Sequence, residues 1–174
     1  MLAEFEGYTY IANVNFDTVT LVTFDENKKL EGFEAKRDYY KNIVKLDDPR
    51  LKSIYDIHYW VKYTDCIEKS EIWNIDEGRT VGFLSNIENN EVVINVDHNA
   101  KDSSWTQYDK HAASKKIKLT ECEEYWVEKI FFKKNGILVE KNVEKIKVSL
   151  ETLKTLMIGN GKIICNEFVV KYKC

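Results

Sequence analysis

Proline is almost missing from this chain. Pro49 is the only one in 174 residues, beside seven glycines. So little of either leaves no Pro/Gly-rich stretch to act as a flexible linker, and the length fits a single domain over residues 1–174. Arginine is nearly as scarce. Arg37, Arg50 and Arg79 stand alone, and the rest of the 26 basic residues are lysine. Arginine is the usual tool for bidentate phosphate and guanine contacts, so its scarcity weighs against a dedicated nucleic-acid reader. The net charge of −3 supplies no field toward nucleic acid or anionic lipid either. The four cysteines, Cys66, Cys122, Cys165 and Cys174, form no C-x-x-C pair and are scattered unlike a disulfide framework. They are expected as buried thiols in a reducing compartment. No apolar run approaches the ~20 residues of a membrane span. Residues Met1 to Glu6 show neither a basic n-region nor an apolar h-region, so no signal peptide and a cytoplasmic location are expected.

What is present is β-patterned. Charged residues make up 32% and hydrophobic ones 44%, enough for a folded core. Tyr8, Tyr10, Ala12 and Val14 alternate up to a turn at Asn15-Phe16-Asp17, and Thr18 to Phe24 reads as the returning strand. Ser53 to Thr64 reads as a long strand with Tyr55, Ile57, Tyr59, Val61 and Tyr63 on one face, and Glu71 to Ile75 as a short one. From Arg79 to Asp97 two β-like runs flank Asn89-Asn90. A two-residue turn there pairs Ile87 with Val92, Ser85 with Ile94 and Phe83 with Val96, and collects Val81, Phe83, Ile87, Val92, Ile94 and Val96 on one face. Lys115 to Thr120 and Cys122 to Phe132 are further strands. Asn135-Gly136 is the strongest turn signal, type I′ by composition, with the return strand reaching Val148.

Two helices are expected. Ala35, Tyr39, Ile43 and Leu46 fall at helical spacing, giving a central helix closed by Asp47-Asp48-Pro49, where Asp48 caps a short helical turn. Ser149 caps a C-terminal helix carrying Leu150, Leu153 and Met157 and ending at Gly159, after which Lys162 to Tyr172 reads as a last strand. The class is therefore α+β and β-dominated: a mostly antiparallel curved sheet or open barrel with one central and one C-terminal helix.

Residues 98 to 114 are the least regular. Either Asp102 or Ser103 caps a short helix with Trp105, Tyr108 and Ala112 on one side, or the stretch is a long polar loop, a form often functional in compact domains. His98 and His111 bracket it, with Asp97, Asp102 and Asp109 alongside. Their spacing matches no metal motif, and no cofactor is expected. Ser103-Ser104 lacks a nucleophile elbow, and Gly159-Asn160-Gly161-Lys162 follows a helix, so it is no phosphate loop. Lysines 101, 110, 115, 116 and 118 lie beside these aromatics, but Glu121, Glu123 and Glu124 cancel much of their charge.

With no catalytic set and a surplus of Trp and Tyr, the expectation is a binding protein and not an enzyme. The leading form is a protein antagonist, a toxin-neutralising immunity protein or a phage-type inhibitor of a host defence component. The Lys-, Asn- and Ile-rich composition suggests an A·T-rich genome, hence a bacterium or its phage. Asp102, Trp105, Tyr108, Asp109 and His111 are its candidate binding residues, the aromatics as anchors and the carboxylates facing basic groups. One alternative is a small-ligand protein with a pocket lined by Trp60, Trp73 and Trp126. Another is a hydrolase or nuclease centred on His98 and His111.

Overall fold

A computed structural model describes residues 1–63, 70–72, 87, 89–96, 104–109 and 112–171. Twelve strands and one long helix make up most of them, so the β-dominated α+β class holds, with antiparallel pairing in each measured register. The residues group into two compact units. Unit 1 comprises Met1–Ile57, Lys129–Glu144 and Ile163–Cys174, and unit 2 comprises His58–Glu128 and Lys145–Lys162.

In unit 1, β1 (Leu2–Phe5), β2 (Tyr8–Asn15), β3 (Thr18–Thr23), β4 (Glu34–Ala35), β5 (Tyr40–Lys45) and the start of β6 (Leu51–Tyr63) hydrogen-bond in the order β4-β5-β3-β2-β1-β6. Turn chemistry sets these registers. Glu6 and Gly7 both have positive φ, so the β1–β2 turn is type I′ and pairs Phe5 with Tyr8. β2 and β3 are the expected opening hairpin, closing on Asn15↔Thr18. Alternation then sends Tyr10, Ala12, Val19, Leu21 and Val44 to one face, where Ala3, Phe5, Phe33, Leu51 and Ile54 complete the core. Phe33 stacks on Tyr10 at 5.1 Å, and the Tyr10 hydroxyl donates to the Lys28 carbonyl.

The expected central helix is absent, because residues 34 to 46 instead supply β4 and β5. The i, i+4 spacing of Ala35, Tyr39 and Ile43 is coincidental. The aromatic and β-branched residues Tyr40, Ile43 and Val44 suit a strand, and β3 offers them a ladder, Thr18↔Lys45 through Thr23↔Tyr40. Burial follows period two: Val44 is 5% exposed and its neighbour Ile43 58%. Asp48 accepts the Arg50 N–H within a turn, not at a helix start.

In unit 2, the end of β6 pairs with β7 (Ser70–Ile72). The order then runs β7, β8 (Glu91–Val96), β10 (Ala112–Lys118), β9 (Thr106–Asp109). β8 is the expected second arm of the Asn89-Asn90 hairpin, with Val92 and Ile94 buried. Both of its edges are taken by other strands. β7 takes one edge of β8 through Ile72↔Ile94, and β10 takes the other through Val92↔Ile117. Ile87 is helical, and its carbonyl accepts the Asn90 N–H, with Asn90 at φ 61. Residues 79–86 lie outside the described residues. Where it is described, the 98–114 stretch is mainly strand: after a turn at Ser104 and Trp105, β9 and β10 pair antiparallel. Thr106 and Tyr108 favour strand, and β10 is already templated by β8.

Two longer strands, β11 (Cys122–Lys134) and β12 (Ile137–Val148), form a hairpin, and β11 also pairs with β6. Its turn is the expected type I′: Asn135 and Gly136 both have positive φ. Helix α1 runs Leu150–Lys171. Ser149 Oγ accepts the Thr152 N–H as expected, and Leu153 and Met157 are buried. The helix does not stop at Gly159, and no strand follows it at 162–171. A glycine cap needs a left-handed residue, and Gly159 is not among the positive-φ glycines. Two mid-helix glycines cost about 1 kcal/mol each without forbidding the helix. Within unit 2 the Tyr59 hydroxyl accepts from Asn160 Nδ2 and donates to the Leu156 carbonyl, and Lys154 reaches Asn90 Oδ1.

Burial pushes the phenols of Tyr10 and Tyr55 up to about 12. A raised folded-state pKa contributes stability that is complete below the unfolded value of 10.0 and is lost as pH rises toward 12. Ultraviolet titration of the ten tyrosines should therefore leave at least Tyr10 and Tyr55 unionised when the exposed ones have titrated. Their late ionisation should coincide with alkaline unfolding. Titration of all ten together while the fold is intact would contradict this burial.

Candidate functional site

The clearest local constraint is in unit 1. In the run Phe131-Phe132-Lys133-Lys134, alternation puts Lys133 on the side of buried Phe131. Lys133 is 1% exposed. Its ammonium donates to the Leu46 carbonyl at 2.7 Å and the Asp48 carbonyl at 3.2 Å. Burial lowers its pKa, and the Asp48 and Asp47 charges oppose that shift. Leu46 in turn donates its N–H to the Asp17 carbonyl at 2.7 Å. A single residue thus joins the β2–β3 turn to β11.

The rest of the 46–50 turn is equally fixed. Asp48 accepts from the Arg50 backbone N–H, Nε and Nη2, and Arg50 Nη1 reaches Glu6. The Arg50 guanidinium holds the Asp48 carboxyl below its usual range and lies 4.9 Å from the Phe5 ring centroid. The Gly136 N–H donates to the Lys52 carbonyl, which anchors the β11–β12 turn. Hydrogen bonds therefore hold three turns of unit 1, at 16–17, 46–50 and 135–136.

Around this rigid base stand exposed apolar side chains. Phe16 is 95% exposed, Ile137 68% and Leu138 58%, with Phe132 and Val143 also open. Among the described residues β12 pairs with β11 alone, so its other edge carries no strand. Chemically this arrangement offers apolar area and backbone hydrogen-bonding groups. An open depression of about 480 Å³ lies along β5. Its charged lining includes Asp48 and Arg50, which are already engaged with each other.

The residues expected to form the site are placed as follows. Trp105 is buried, with the Lys115 ammonium 5.5 Å from its ring centroid. Tyr108 and Asp109 lie in β9, paired to β10, so Tyr108, Asp109 and Trp105 belong to one hairpin. Asp102 and His111, like His98, lie outside the described residues. Of the pocket tryptophans, Trp73 lies outside them too. Trp60 sits under the Lys145 ammonium at 3.9 Å, and Trp126 is buried with Lys147 at 6.0 Å. Those two lysines are ion-paired to Glu128 and Glu124. Cys122 is a buried thiol. Among the described residues no three His, Cys, Asp or Glu side chains are grouped to hold a metal ion, and no helix is long and apolar enough to cross a membrane. Lys133 was legible in principle, because its parity in β11 matches Phe131. The exposure of Phe16 carries no sequence signal beyond a turn.

No protein-family model matches the chain, and neither a curated protein nor a solved structure matches it. The fold and the surface therefore carry the functional argument.

Lys133→Ala should destabilise the chain by about 3 kcal/mol, through a cavity and two carbonyls left without their donor. Lys133→Met refills the volume but leaves the same carbonyls unpaired, so it should cost roughly half as much. Urea unfolding midpoints measure both. An alanine variant as stable as the parent would mean the ammonium does not hold the 46–50 turn.

Proposed function

We propose that the chain is a non-catalytic binding protein whose partner is another protein and which acts by covering a surface of that partner. The observation that carries this reading is the start of β12. Ile137 and Leu138 are consecutive, so they point to opposite faces of the strand, yet both are open. An edge strand open on both faces there, with no strand beside it among the described residues, is the kind of surface natural proteins avoid unless something docks on it. Extended partner segments bind such edges through main-chain hydrogen bonds, with side-chain contacts giving specificity.

Within this class the reading favoured is a protein antagonist, either a toxin-neutralising immunity protein or a phage-type inhibitor of a host defence component. The small size, the A·T-rich coding composition and the lack of a catalytic motif support that form. Tyr108 and Asp109 of the β9–β10 hairpin, with the flanking Asp102 and His111, remain its second contact region, beside the buried Trp105.

Native mass spectrometry of the chain purified gently from its own host should show a stoichiometric protein partner. The double substitution Ile137→Ser with Leu138→Ser should remove that partner while the melting temperature stays close to the parent's, because exposed positions change stability little. A small mass increment released on denaturation, in place of a protein, would count for a ligand-binding protein instead.

A further inference from the structure

Phe16 is the most exposed large apolar side chain among the described residues, at 95%. It occupies the first of two loop positions between Asn15 and Thr18, which pair with each other, and its φ is +50°. Asp17 is not left-handed. A hairpin loop whose first central residue alone has positive φ has the sign pattern of a type II′ turn, and glycine normally stands there. A phenylalanine at that position strains the backbone and leaves a whole ring in water. Among the described residues nothing offsets either cost: the ring packs on neither core cluster of unit 1 and pairs with no other ring.

The turn is nevertheless held still. The Leu46 N–H donates to the Asp17 carbonyl at 2.7 Å, and Thr18 Oγ1 donates to the Asn15 carbonyl at 3.0 Å. A residue that breaks local rules on a rigid mount is a hypothesis of function. We infer that Phe16 is a binding anchor that inserts into an apolar socket on a protein partner, a proposal that rests on the protein-binding reading above. Exposed charges flank its turn on the described elements: Asp17 beside it, and Lys45 and Asp47 on either side of Leu46, which bonds to Asp17, two negative charges against one positive. That balance suits a socket with a basic rim and opposes an anionic membrane.

The test places photoreactive benzoylphenylalanine at position 16, or at position 138, in the full chain expressed in its host. Irradiation from position 16 should yield one protein adduct, mapped to an apolar segment flanked by Lys or Arg. That protein, made separately, should bind Phe16→Asn about thirtyfold more weakly than the parent, the loss typical of a hot spot. The same variant should melt a few degrees higher, because asparagine tolerates positive φ. An adduct from position 138 alone would overturn the anchor and leave the protein-binding reading standing. No protein adduct from either position would overturn both. Lipid adducts from position 16, a lower melting temperature for Phe16→Asn, or unchanged affinity would each overturn the anchor.

Discussion

A buried ammonium is the constraint on which unit 1 turns. Burying Lys133 costs several kcal/mol of desolvation, which is recovered only if its protons find acceptors. The Leu46 and Asp48 carbonyls are those acceptors, and both come from a tight turn whose carbonyls would otherwise face water. The turn is thereby fixed to β11. Leu46 passes the constraint on through its N–H to Asp17, and Asp48 passes it on through its carboxylate to Arg50 and then to Glu6. The turns at 6–7, 16–17 and 46–50 thus share one hydrogen-bonded network, centred on a cation with no freedom to move.

Hydrogen bonding also explains which parts of the fold were legible. Where a turn's own residues dictate its backbone, the sequence suffices. Asn135-Gly136 specifies a type I′ turn, and the strands on either side follow. Alternation in Tyr8–Asn15 and Leu51–Tyr63 was equally direct, since a half-buried sheet demands it. The failures share a cause. Residues 34 to 46 satisfy a helical and a strand pattern at once, and what decides between them is the unfilled edge of β3, a long-range fact. The same holds for Glu91–Val96. Its buried face was legible, but Ile87 is helical where a paired strand was expected, and its partners are β7 and β10, brought from elsewhere in the chain.

The site was less legible than the fold. Trp105 was singled out because large aromatics dominate interfaces, yet the same apolar area makes a tryptophan a good core residue, and here it is buried. Composition cannot separate the two uses. Phe16 shows the converse. Its neighbours Asn15 and Asp17 announce a turn, but which loop position takes the positive φ depends on the register of β2 against β3. Lys133 hid in a run of two lysines, where only strand parity separates the buried one from its half-exposed neighbour Lys134, which pairs with Glu144.

β12 shows how a chain can keep an apolar edge. Lys141 at φ +49 breaks the strand's regular pleat, and Lys145 and Lys147 follow, two devices that blunt an edge against indiscriminate pairing. Both lie C-terminal to Glu140. The four residues before them, Ile137-Leu138-Val139-Glu140, contain no bulge and no lysine. Protection that covers most of an exposed strand but stops short of its first turn of pleat is hard to explain as solubility alone, since a lysine at position 138 would extend it at little cost to a fold that leaves Leu138 open. An unprotected end has a physical rationale if a specific partner strand occupies it, and its length, four residues, limits that pairing to a short ladder. Such a ladder supplies too few main-chain hydrogen bonds to bind tightly by itself, each being worth only about 1 kcal/mol net. A partner held there needs a second, apolar point of contact, and the rigidly mounted ring of Phe16 in the same unit has the chemistry to provide it.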